Sequence, residues 1–155
     1  MITKENIHII STIEFLNRFS NSDYQINNKA IEESIDALKN NIASGKKENY
    51  LALNDDDIYS ILEDSDELFI LSYEAKSIDN AIEDISESFL MKRSKTTKEI
   101  LIHFETYSNY DVMPISQYMN MIHDLINEDA SVGFCISPND SMSNEEMKII
   151  LIASC

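Results

Sequence analysis

The chain has 155 residues, with 28 acidic against 12 basic side chains and a formal net charge of −16. Nucleic acids and anionic membranes are bound through Lys and Arg that neutralise phosphate, so this balance argues against both and for a soluble, self-repelling protein. The hydrophobic share is 43%, Gly and Pro number two each, and no apolar run nears the ~20 residues of a membrane span, which together describe a single globular domain over 1–155.

The opening, MITKENIHIIST, has no basic region followed by a long apolar stretch, so no signal peptide is expected. Cys135 and Cys155 lack metal-binding or redox spacing and suit a reducing cytoplasm. In residues 3–19, Ile9, Ile13 and Leu16 fall on one helical stripe beside Phe15 and Phe19, although IHII also suits a short strand. Ile31, Ile35, Leu38 and Ile42 recur at helical spacing over 28–43, with Gly45 just past the end. Asn54, Asp55, Asp56 and Asp57 then open a short helix, where carboxylates suit the positive end of its dipole.

ELFILSYEA (67–75) is rich in branched and aromatic residues and predicts a strand. Ile78, Ala81, Ile82, Ile85 and Phe89 predict an amphipathic helix behind Ser77. KRSKTTK forms a basic connection with Lys92, Arg93, Lys95 and Lys98. In 99–107, Ile100, Ile102 and Phe104 alternate with Leu101, His103 and Glu105, predicting a strand with one well-buried face. Pro114 starts another helix, and SVGFCIS and MKIILIAS supply two further strands. The last strand is apolar on both faces, which places it centrally.

This order of elements, from about Asn28 onward, resembles the C-terminal domain of the FtsZ/tubulin family. The final stretch NEDASVGFCISPNDSMSNEEMKIILIASC and the helix spacing over Pro114–Ala130 carry the resemblance furthest. It implies an α+β (α/β mixed) fold with a four-stranded mixed sheet and helices packed on it. Residues 27–155 form that domain, and 1–26 form a preceding helical extension. Three departures are visible. Gly45 and Gly133 are the sole glycines, so the family's glycine-rich phosphate loop is missing and no GTP site is expected. The family's synergy loop, N-x-D-x-x-D, aligns with Ala52 to Asp57 and retains Asp57 alone. The chain also ends at the closing strand, without the partner-binding tail that the family carries, so membrane recruitment by that route is not expected.

Chemistry is sparse elsewhere. His8, His103 and His123 share no metal-ligand spacing, and Cys135 reads as a small buried side chain unless His103 lies beside it. We expect no cofactor, no metal and no catalysis. The resemblance implies a protein-interaction module that binds FtsZ or itself and modulates filament assembly in cell division. The candidate contacts are the acidic loop Asn54–Asp57 and the basic loop Lys92, Arg93, Lys95 and Lys98. Two other readings stay open. One is a small-ligand binder or oligomeric enzyme, since the mixed sheet also resembles the chorismate-mutase-like fold. The other is a self-associating structural relative in which the first 25 residues cover the surface left by the missing domain.

Overall fold

The computed structural model describes residues 4–45, 52–63, 65–76, 80, 83–84, 97–107, 113–125, 129–143 and 145–154. A short 3-10 turn, Lys4–Asn6, leads into β1 (Ile7–Ser11), followed by α1 (Thr12–Ser20), α2 (Lys29–Ala43) and α3 (Asp55–Leu62). Then come β2 (Glu67–Ala75), β3 (Glu99–Thr106), α4 (Met113–Leu125), β4 (Ser131–Pro138) and β5 (Met147–Ser154). Of the helix expected over 77–89, residues 80, 83 and 84 are described and are helical; its other positions and most of the basic connection lie outside the described residues.

The fold is mixed α+β, as expected, but among the described residues the sheet has five strands in the order β1-β2-β5-β3-β4. β5 is antiparallel to both neighbours, and β3 and β4 run parallel. The central position read from β5's two apolar faces is therefore correct: Ile149 and Leu151 enter one core, Ile152 the other.

The extra strand corrects the helical reading of the N-terminus. Ile7–Ser11 pairs antiparallel with β2, Ile7 opposite Leu71 and Ser11 opposite Glu67. Ser11 ends the strand and caps α1, its hydroxyl accepting from the Glu14 N–H at 3.2 Å. The helical period thus restarts at Ser11, and the stripe drawn through Ile9, Ile13 and Leu16 is broken. Ile9 and Ile13 are 55% and 73% exposed, while Phe15 and Phe19 are buried. Branched residues suit either state, and pairing with the open edge of β2 decided between them.

Successive side chains of each strand feed opposite faces. Phe69, Leu71, Ile100, Ile102 and Phe104 pack under α4 with Tyr118 and Ile122. Leu68, Ile70, Leu101 and Cys135 pack under α1, α2 and α3 with Phe15, Ile35, Leu38, Ile58 and Leu62. β3 is consequently buried on both faces, not one: Leu101 and His103 lie beneath the α1–α3 layer, His103 only 2% exposed. Gly133 lets α3 approach edge strand β4, since a Cβ there would sit 3.0 Å from Ile61 Cδ1. α1 is tied to α2 by Arg18, whose Nε and Nη2 donate to Glu32 at 3.2 Å and to Asp36 at 2.8 Å.

Residues 7–20 therefore add a strand to the sheet and side chains to one core. Phe15→Ala, at a fully buried ring, is expected to cost about 3–5 kcal/mol in urea unfolding, whereas Ile13→Ala at the surface should stay within about 0.5 kcal/mol. Equal effects would refute the strand-then-helix assignment.

Candidate functional site

The apolar positions of α2 face the sheet, and its other side carries Glu33, Asp36 and Asn40 at spacings of three and four residues, one stripe of a helix. That stripe runs past the carboxyl ends of the parallel pair β3–β4. Between them lies a cavity of about 320 Å³, walled on the sheet side by His103, Glu105, Ser137 and Asn139.

A buried polar clasp closes its floor. Asn41, on the sheet-facing side of α2, donates from Nδ2 to the Ile136 carbonyl at 3.2 Å and to Ser137 Oγ at 2.8 Å. Ser137 Oγ lies 2.8 Å from His103 Nε2. Asn139 Nδ2 donates to Glu105. Burial pushes the His103 imidazole down to about 4, with the charge of Glu105 opposing it in part. The ring is neutral at ordinary pH, and its Nδ1 is buried with no hydrogen-bond partner.

A serine hydroxyl beside an imidazole suggests nucleophilic catalysis, but the chemistry here is unfavourable. A base held near 4 takes a proton poorly at neutral pH, and no carboxylate orients the ring through Nδ1. The sequence condition on Cys135 is met, because Cys135 pairs with His103 in the β3–β4 register. Yet Cys135 is fully buried, and that burial raises its thiol to about 12, far from a reactive thiolate. The arrangement is a structural clasp joining α2 to β3 and β4.

The acidic loop forms a separate feature at the start of α3. Asn54 Oδ1 accepts from the Asp57 N–H, and Asp57 Oδ2 accepts from the Asn54 N–H, both at 2.9 Å, a reciprocal capping box. Asp55 and Asp56 are exposed in the first turn. Lys92, Arg93 and Lys95 lie outside the described residues. Lys98 is exposed at the entry to β3, where its carbonyl accepts from the Ser131 N–H at 2.9 Å. His8 Nδ1 meets Asn28 Nδ2 at 3.2 Å, and His123 is exposed on α4, so the three imidazoles do not converge. Among the described residues no three His, Cys, Asp or Glu side chains are arranged to hold a metal ion.

Sequence reasoning missed the cavity. Its one legible sign is Asn41, a polar residue three positions after Leu38 on the apolar face of α2. The partners of Asn41 are 95 and 96 residues away, beyond any local pattern.

No protein-family model and no curated protein matches the sequence. Among solved structures, an empty FtsZ dimer from M. jannaschii is similar, with 12% identity and a TM-score of 0.58, over 91% of this chain and 43% of that one. A point mutant of M. jannaschii FtsZ is similar with 11% identity and a TM-score of 0.53, over 88% of this chain and 43% of the other. The chain thus has an FtsZ-like fold and spans less than half the length of the FtsZ chains it resembles. No helix among the described residues is long and apolar enough to cross a membrane.

Two outcomes follow from this geometry. Asn54→Ala removes the cap of α3 and should cost about 1 kcal/mol by urea unfolding, with Asn54→Ser restoring most of it. The unfolded chain takes up a proton at His103 near pH 6.5, while the folded chain resists until about 4. The stability this group contributes is therefore intact above pH 6.5 and lost as pH falls toward 4, by about 3 kcal/mol in all. Urea midpoints of wild type and His103→Gln over that range should converge on acidification; parallel profiles would refute the assignment.

Proposed function

We propose that this chain is a non-catalytic interaction module that docks onto FtsZ filaments and modulates their assembly in the cytoplasm during cell division. The observation that carries the reading is the FtsZ-like fold over 91% of the chain, matched to 43% of the FtsZ chain. That FtsZ is a dimer, and a free-standing domain of the same fold offers related surfaces to a subunit or to a second copy of itself. Three further features support the proposal. Two glycines leave no glycine-rich loop to cradle a nucleotide phosphate. The His103–Ser137 pair is poorly suited to nucleophilic chemistry. Asp55 and Asp56 stand exposed at the head of α3, a rigid acidic projection able to meet a basic patch.

Co-sedimentation with polymerised FtsZ from the same organism tests this. The chain should enter the pellet in proportion to polymer and change polymer mass. Asp55→Asn/Asp56→Asn should reduce pelleting several-fold. A chain that stays in the supernatant and leaves polymer mass unchanged would overturn the proposal.

A further inference from the structure

β1 and β4 are the outer strands of the sheet, and their free edges are finished differently. At the β4 edge, Ser131 and Asn139 donate their N–H groups to the Lys98 and Thr106 carbonyls on the β3 side. Alternation then turns the even-numbered residues of β4 outward. Of these, Ile136 has its carbonyl taken by Asn41 at 3.2 Å, and Pro138 has no N–H to offer. Such features blunt an edge against further pairing.

β1 carries no such guard. Thr12, just past its end, donates its N–H to the Asp66 carbonyl, and the register with β2 is continuous. The backbone groups of His8 and Ile10 therefore face β2, while those of Ile7, Ile9 and Ser11 point away from the sheet. Among the described residues no strand lies beyond them. The strand, IHIIS, holds no Pro, Lys, Arg, Asp or Glu, and Ile9 and Ile13 add exposed apolar side chains beside it.

This pattern is symmetric about Ile9. When a second copy runs antiparallel with Ile9 opposite Ile9, the whole strand overlaps. The two Ile9 residues exchange both backbone bonds, and the Ser11 N–H of each copy donates to the Ile7 carbonyl of the other. None of these groups is used by β2, and the Ile9 side chains meet on one face. Charge selects the same place. Copies carrying −16 repel over most of their surface, and β1 is a neutral strip where they can approach.

We propose that β1 pairs with β1 of a second copy of this chain, joining the two sheets across a two-fold axis. The inference goes beyond FtsZ docking and needs no FtsZ, so either can fail alone.

Sedimentation equilibrium of the intact chain in reducing buffer, up to millimolar concentration, should show monomer and dimer in exchange. Ile9→Lys sets like charges opposite each other at the axis while lowering the overall repulsion, and should weaken the dimer about tenfold or more. Met113→Lys makes the same change at another exposed apolar side chain and should leave the dimer unchanged. Ile9→Pro removes an N–H that β2 does not use, so circular dichroism should show an intact fold while the dimer is lost. Amide exchange reads the register: Ile9 and Ser11 should exchange fast in dilute solution and slowly in concentrated solution, with His8 and Ile10 slow in both. A chain that stays monomeric at millimolar concentration leaves this edge to a strand of another protein and overturns the inference. So does a dimer unmoved by Ile9→Lys, one weakened equally by Met113→Lys, or an Ile9 amide that exchanges equally fast at both concentrations.

Discussion

Antiparallel pairing of β5 with β2 on one side and β3 on the other is the constraint on which the rest of the molecule depends. β5 has no open edge, and both its faces are apolar, so it imposes cover on each side. That requirement produces two cores: Ile149, Leu151 and Ala153 sit under α4, while Ile152 sits beneath the α1–α3 layer. The edges follow from the same arrangement. β1 closes one side against β2, and β4 closes the other against β3. The parallel β3–β4 pair needs a long crossover, and α4 lies within it.

The α1–α3 layer is tied down by buried polar bonds, whereas the buried Tyr118 hydroxyl of α4 has no hydrogen-bond partner. Asn41 joins α2 to Ile136 and Ser137, and Arg18 joins α1 to α2. Each bond fixes the height and rotation of a helix over the sheet, because a buried polar group without its partner costs about 1–3 kcal/mol. The cavity is a consequence. α2 is held at one end by Asn41 and along its length by Ile31, Ile35 and Leu38, which leaves its polar stripe suspended beside the carboxyl ends of β3 and β4. His103 reports on the same fit, since the burial that secures the clasp also keeps its imidazole neutral.

The exposed acidic head of α3 and the acidic cavity are distinct. α3 is seated by Ile58, Leu62 and the close approach at Gly133, and its first turn presents Asp55 and Asp56 to solvent while Asp57 closes the cap. The cavity carboxylates belong to α2 and β3. The two acidic features of this strongly negative chain thus differ in setting. One is a projecting turn stabilised by its own capping box, and the other a walled recess with fixed neutral donors and acceptors.

Local pattern determined much of this protein. The apolar period of α2, the Asn-Asp start of α3, the dense run of β2 and the two-faced apolarity of β5 are each set by neighbours within a few residues, so they are legible in the chain. The mixed α+β class follows from their order, and Asn54 with Asp57 form a bond between groups three residues apart. Tertiary structure decided what no short window contains. Ile7–Ser11 became a strand because β2 offered an unpaired edge, which shifted α1's buried face from Ile13 to Phe15 and Phe19. His103 became a buried neutral base because a helical layer covered the second face of β3. The cavity unites residues from α2, β3 and the end of β4, whose separation in sequence far exceeds the reach of helical or strand periodicity. Periodicity records which side of an element is apolar; which element covers that side is settled only when the chain packs.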